Sequence, residues 1–203
     1  SAPIADRGVE NERKKLVALL PGSRKQEISR ILPVMIEAAT KFPDVKFVIA
    51  AALSQPDEIY KSLPGDSKIE VVRGKTYQLL SEADAAMVTS GTATLETALF
   101  GVPEVVCYKA TRISFFIAKR VVSIKFISLV NLIMDQLVVK ELIQADCKPD
   151  AVAIELDLLL HDEKKRNIMS ENFEILQQKL GGSGASERIA NKMWNYLNNQ
   201  NSE

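Results

Sequence analysis

The 203-residue sequence holds one histidine and two cysteines, and its charges cancel: 26 Lys and Arg against 26 Asp and Glu. Each shortage excludes something. The balanced charge gives no case for nucleic acid as a partner. Cys107 and Cys147 have neither metal-ligand nor disulfide-framework spacing, and Cys107 falls in a strand-like run as a small buried hydrophobe. A reducing compartment is the simplest reading of that usage. His161 lies between late helical patterns and reads as a surface or capping residue, not a base. No apolar run reaches the length of a membrane span, and no signal-peptide pattern is visible. No Gly-x-Gly-x-x-Gly follows the first strand, which sets aside a dinucleotide-binding Rossmann domain. No Asp-x-Asp pair is placed to chelate a divalent ion, so neither metal nor cofactor is expected. Repeats and low-complexity tracts are absent as well.

What is present is an ordinary globular composition, 46% hydrophobic and 26% charged, in a length that suits one domain with a sizeable core. Residues 1–13 begin Ser-Ala-Pro without an initiating Met and read as a linker or remnant, as if the chain were a piece of something longer; residues 14–203 read as the domain. Apolar runs alternate with helical patterns. Leu16–Leu20, Lys46–Ala50, Ile69–Val72, Ala85–Val88 and Val105–Tyr108 read as strands. Between them, helices are expected around Ile28, Leu32, Met35, Ala39 and Phe42 on one face, at Pro56–Leu63, at Thr76–Glu82 and at Thr92–Phe100. Pro33 predicts a kink, or two helices abutting. The strands are continuously apolar, as parallel strands covered on both faces are, and the alternation gives a doubly wound, mostly parallel α/β sheet. From Pro149 the pattern is helical only: Pro149–His161, Glu163–Leu180 and Ala185–Asn198 form a set of C-terminal helices.

In such a sheet, ligands lie beyond the carboxyl ends of the strands. Two exits carry unusual chemistry. Ser90-Gly91-Thr92-Ala93-Thr94-Leu95-Glu96 turns from a strand into a helix, so unpaired N–H groups and the helix dipole can meet an anion. Glu96 then stands where a carboxylate can accept from vicinal hydroxyls such as those of a ribose. The alternative is an ordinary N-cap with an acid near the helix start. The second exit, Pro21-Gly22-Ser23-Arg24, combines a free backbone with a planar, permanently charged fork for phosphate. Arg24 has its own alternative, a surface ion pair with Glu27. Two anion-friendly exits on one sheet point to a nucleotide.

At this point the residues resemble a family. Leu19-Leu20-Pro21-Gly22-Ser23-Arg24-Lys25-Gln26-Glu27-Ile28 is similar to the opening of the nucleotide-binding domain of lipid-A-disaccharide synthases. So are the Ser90–Glu96 turn with Gly101-Val102-Pro103 and Val105-Val106-Cys107-Tyr108-Lys109, the block Ile127–Ile133, and the block Val139–Gln144. The order and spacing fit, from about Leu16 to the late helices. At Met134-Asp135 the chain departs from the family's commonest spelling, a small residue and Gly.

The resemblance implies the C-terminal, Rossmann-like domain of a GT-B fold in an inverting glycosyltransferase. That reaction joins UDP-2,3-diacylglucosamine to 2,3-diacylglucosamine 1-phosphate, giving the lipid A disaccharide and UDP. It implies a UDP-sugar donor, an acylated glucosamine acceptor, and a base that lies in another domain. By position, Gly22, Ser23, Arg24, Ser90, Gly91 and Thr92 would approach the diphosphate and Glu96 the ribose. Arg24 would stabilise the leaving group, and Arg73-Gly74 would meet the uracil. Asn131, Glu141 and Gln144 fall in family blocks near the cleft, with loop and helix-capping contacts as their alternative. The resemblance also implies a cytoplasmic protein, or one peripheral on the inner membrane of a Gram-negative bacterium. Residues 113–126 mix aromatics with Lys119, Arg120 and Lys125, which suits a bilayer surface or else a core helix with its basic side in solvent. Two alternatives stand beside this: a sugar-nucleotide 2-epimerase of the same fold, which would need its own catalytic acids and histidines where this chain has one His, and a nucleotide- or membrane-binding module without catalysis.

Overall fold

The computed structural model describes residues 13–61, 69–109 and 125–181. Six strands form one sheet: β1 (Leu16–Leu20), β2 (Lys46–Ala51), β3 (Glu70–Arg73), β4 (Ala85–Thr89), β5 (Glu104–Tyr108) and β6 (Lys140–Ile143). Their order is β3-β2-β1-β4-β5-β6, and every neighbouring pair is parallel. The helices are α1 (Lys25–Ala39), α2 (Glu58–Lys61), α3 (Thr76–Glu82), α4 (Thr92–Leu99), α5 (Leu129–Met134), α6 (Pro149–His161) and α7 (Glu163–Lys179).

Burial on both faces explains the continuous apolar strands. In β1, Val17 and Leu19 join a core built with Ile28, Leu32 and Met35 of α1, Leu156 of α6 and Phe173 of α7. Leu16, Ala18 and Leu20, one residue out of phase, point to a smaller core closed by Leu79 and Leu80 of α3. The period of two along a strand thus feeds two layers of helices.

α1 runs through Pro33 as one helix, not as two abutting ones. Proline removes one backbone bond, while Ile31, Leu32, Val34, Met35 and Ile36 around it are all buried and hold the helix on the sheet. The helix stops at Ala39, so Phe42 lies beyond it, although its ring still packs against the larger core. α2 begins at Glu58, two residues after the expected Pro56, and both the end of that expected helix and the expected helix at Ala185–Asn198 lie outside the described residues. Two elements have no counterpart in the sequence reading. α5 has six residues, and β6 is an edge strand whose Lys140 and Glu141 break the apolar signal.

This strand order places a topological switch between β1 and β4. β1 sends its chain toward β2 on one side, and β4 continues toward β5 on the other. A crevice opens at the carboxyl ends where the direction reverses, because the two exits lead away from each other.

A candidate nucleotide cleft at the switch point

The two exits singled out in the sequence flank that crevice. A cleft of about 440 Å3 is lined by Gly22, Ser23, Arg24 and Glu27 after β1, and by Ser90, Gly91, Thr92, Ala93 and Glu96 after β4. Its floor is Leu20 and Thr89, and Ala50, Ala51 and Ala52 at the end of β2 form one wall. Short side chains on that wall keep the space open.

The β1 exit is tightly specified. Gly22 has φ +99°, in the left-handed region that favours glycine, and a Cβ there would stand 2.7 Å from Oε2 and 3.2 Å from Cβ of Glu27, so the carboxylate would have to shift. Arg24 is the N-cap of α1 in an extended conformation, and the Glu27 and Ile28 N–H groups both donate to its carbonyl at 3.0 Å. Arg24 Nη1 donates to Glu27 Oε1 at 2.8 Å, while 82% of the arginine side chain remains exposed. The ion pair expected as the alternative is therefore present, and most of the guanidinium still faces the opening. Gln55, from the loop after β2, donates Nε2 to the Ser23 carbonyl at 2.9 Å and braces this turn from outside.

At the β4 exit, Gly91 caps α4 and no side chain accepts from the first turn. The Thr92 and Ala93 N–H groups have no intrahelical acceptor, since the first turn of any helix lacks one. Thr94 Oγ1 donates back to the Gly91 carbonyl at 2.8 Å, and Ser90 Oγ donates to the Ile127 carbonyl at 2.8 Å. The hydroxyls are thus spent on the scaffold and the amides face the cleft. The carboxylate of Glu96, half-buried one turn along α4, makes no hydrogen bond or ion pair among the described residues. It also lines an annex of about 340 Å3 formed with Ala52, Leu53, Gly74, Thr76 and Tyr77.

The remaining expected residues divide. Gly74 lines the annex with φ +65°. The Arg73 side chain turns away from the cleft. It bonds Asp57 Oδ1 through Nε at 2.7 Å and the Ala52 carbonyl through Nη1 at 2.9 Å, and lies over the Tyr60 ring. Tyr60 Oη accepts from the Ala52 N–H at 3.0 Å. Both side chains thus fix the wall at Ala52 and do not face a ligand in the cleft.

Asn131, Glu141 and Gln144 do not line the cleft. Asn131 is fully buried; its Oδ1 accepts from the Val138 and Val139 N–H groups, and its Nδ2 donates to the Val139 carbonyl and to Glu141. Glu141 accepts from the backbone of Ile127 and Ser128, from Ser128 Oγ and from Asn131 Nδ2, at 2.8 to 3.2 Å. The two residues tie the Ile127–Ser128 segment to β6, and Ser90 binds that segment in turn. Gln144 sits at the exit of β6 with φ +53°, its N–H donated to the Tyr108 carbonyl and its buried Nε2 without a partner.

Gln55 is the contributor that sequence reasoning missed. Its signal was positional, because the exit of β2 lies beside that of β1 whenever those strands pair. Cys107 is buried as expected, and its thiol is pushed up by a hydrogen bond to the buried Cys147 and by burial itself. His161 is exposed at the end of α6, 2.9 Å from Asp157 and outside the cleft lining. Among the described residues, no helix is long and apolar enough to cross a membrane, and no three His, Cys, Asp or Glu side chains group as metal ligands. Of the 113–126 segment only Lys125 and Phe126 are described; Phe126 is buried and Lys125 pairs with Asp135. The rest of that segment lies outside the described residues.

Residues 5–192 match the lipid-A-disaccharide synthetase family. The lipid-A-disaccharide synthase of Syntrophus aciditrophicus is 41% identical over 183 residues, 86% of this chain and 47% of that protein. That of Trichlorobacter lovleyi is 37% identical over 190 residues, covering 90% and 49%. The chain therefore spans about half the length of the curated relatives it matches. Among solved structures, the calicheamicin glycosyltransferase superposes with a TM-score of 0.61 at 16% identity, covering 93% of this chain and 43% of that one. UDP-GlcNAc 2-epimerase from Neisseria meningitidis, bound to UDP-GlcNAc, gives 0.58 at 18% identity, covering 90% and 45%. At such identities these neighbours establish the fold: a Rossmann-like half of the GT-B architecture.

Proposed function

The chain belongs to the lipid-A-disaccharide synthetase family, and on that premise we propose that it is the donor-binding half of an inverting glycosyltransferase. The donor is UDP-2,3-diacylglucosamine, the acceptor is 2,3-diacylglucosamine 1-phosphate, and the products are the β-1,6-linked lipid A disaccharide 1-phosphate and UDP. The observation that carries this reading is the convergence of two helix starts on one switch-point cleft, beside a Glu96 carboxylate that has no partner among the described residues.

In this reading the diphosphate lies between the Gly22–Arg24 and Ser90–Thr92 turns. Glu96 accepts from the ribose hydroxyls, and the uracil enters the annex beside Gly74. As the bond between the sugar and the phosphate breaks, negative charge grows on the terminal phosphate. Arg24 and the fixed amide dipoles stabilise that charge without reorganising, the form of electrostatic help that contributes most in enzymes. Asn131 and Glu141 serve by holding the segment to which Ser90 is tied. The acceptor site and the base that deprotonates it belong to the half of the relatives' length that this chain does not span. By itself the chain binds donor and does not transfer sugar.

Calorimetric titration of UDP into the chain, beside Glu96→Ala and Arg24→Ala, tests the reading. The expected result is weak, measurable binding that falls in both variants. Undiminished binding in both would put the nucleotide elsewhere.

A further inference from the structure

Glu27 has the wrong sign for its position. An anion site gains from every positive group around it, yet this carboxylate lines the cleft, with 27% of its side chain exposed, between Gly22 and Arg24. Its Oε1 accepts from Arg24 Nη1 at 2.8 Å, and its Oε2 accepts from the Arg24 backbone N–H at 3.4 Å. Oε2 also lies 2.7 Å from where a Cβ on residue 22 would stand. Closing the capping box explains the backbone bond. It does not explain a fixed negative charge among the donors of the site. The remaining donors of the guanidinium are open to solvent, so Glu27 takes part of Arg24 without blocking it.

We infer that Glu27 sets the charge specificity of the cleft, favouring a UDP-sugar over free UDP; the inference rests on the donor-binding reading above. In a UDP-sugar each phosphate has one ester and one anhydride bond and carries one negative charge. In UDP the terminal phosphate has only the anhydride bond, and its second proton leaves at about pH 6, so it carries close to one further charge at about pH 7.5. Ser23, Arg24 and Glu27 line one cleft, so a phosphate held by the Ser23–Arg24 turn would lie near Glu27, with about 6 Å taken as the separation. At that distance Coulomb's law gives between a few-fold and a hundredfold discrimination for one added charge, about tenfold between the water and protein-surface limits. As the acceptor hydroxyl oxygen bonds C1 of the sugar and its proton passes to the base outside this chain, the C1–O bond to the terminal phosphate breaks and the electron pair stays on that phosphate. The new charge appears beside Glu27 and weakens the hold on the product. Arg24 stabilises the departing charge while Glu27 keeps UDP from lingering.

The test is calorimetry with UDP and with UDP-N-acetylglucosamine on the wild-type chain, Glu27→Gln and Glu27→Asp, each variant checked by its melting temperature. Glu27→Gln keeps the shape and the hydrogen bond to Arg24 and removes the charge. It is expected to tighten UDP about tenfold and the UDP-sugar no more than about threefold. Glu27→Asp keeps the charge and is expected to hold the wild-type ratio of the two affinities within about threefold. Equal shifts for both ligands in Glu27→Gln, or weaker UDP binding in that variant, would overturn the inference and leave Glu27 as a brace for the loop. A ratio that changes as much in Glu27→Asp as in Glu27→Gln would also overturn it. If neither ligand binds the wild-type chain, the donor-binding reading itself falls.

Discussion

The cleft and the Ser128–Asn131–Glu141 cluster are built from the same materials and end in opposite states. Both combine a turn, a helix start, a carboxylate and nearby backbone amides. In the cluster every one of these is consumed: Ser128 caps α5 by accepting from Asn131, and the Glu141 carboxylate takes four different donors. In the cleft the corresponding parts are open. Among the described residues α4 begins without a side-chain acceptor, Arg24 is largely in solvent, and the Glu96 carboxylate has no partner. A polar residue that is saturated inside the fold holds structure, and one that is left unsaturated at the mouth of a crevice is available to a ligand. Residue type alone does not separate the two.

The sharpest way to break that contrast is to empty the cluster. Asn131→Ala leaves the Val139 amide and carbonyl without that partner, while the Val138 amide keeps the Gln136 carbonyl at 3.0 Å, and should cost about 3 kcal/mol in urea unfolding. Glu141→Ala should cost a similar amount, and the double variant less than the sum, because the two share one bond. Arg24→Ala reverses the pattern. UDP affinity should fall by about 2 kcal/mol, roughly thirtyfold, as a charge-assisted contact is lost. Unfolding stability should move by less than about 0.5 kcal/mol, since the pair with Glu27 is exposed on the arginine side.

Glu104 belongs to neither state. It is fully buried at the amino end of β5 with both oxygens unpartnered, and burial pushes its carboxyl well above the usual range. The folded state keeps the proton at pH values where the unfolded chain has lost it. Stability from this group is therefore intact below the ordinary carboxylate range and falls as pH rises above it, by up to about 1.4 kcal/mol per pH unit. Glu104→Gln should flatten that slope, leaving the two proteins most alike near pH 4 and most different at pH 8, as thermal melts across that range would show. The smallest effect is at Asp135, which closes α5 in the left-handed region with φ 51° and ψ 31°. Asp135→Gly should gain about 0.5 kcal/mol, the relief of left-handed strain exceeding the loss of an exposed pair with Lys125.

Asp135 also shows what the sequence makes legible. The sequence showed only a departure from a family glycine, and the structure gives the reason a glycine suits the place, a positive φ. α3 and α6 were readable to the residue because amphipathic spacing and the Pro149 start mark them. The cleft loops were readable because glycine, arginine and a strand-to-helix turn announce open donors. β6 was not, because an edge strand of four residues with Lys140 and Glu141 has no apolar run to show. The direction of Arg73 was hidden for another reason. Its partners, Asp57, Tyr60 and the Ala52 carbonyl, come from the neighbouring strand β2 and its exit, and only the sheet order brings them to it. Saturation of Glu141 was invisible in the same way, since the donors it takes come from 10 to 14 residues away across a loop.

The central claim, that the switch-point cleft holds the diphosphate, is tested most directly by following backbone amides by NMR as UDP is added to the chain. The expected result is shifted and protected amides at Gly22–Arg24 and Gly91–Ala93, smaller changes at Gly74, and none along α7. Unchanged amides in both turns, with the shifts gathered around Asp57 and Tyr60 or on the α6–α7 face, would contradict it.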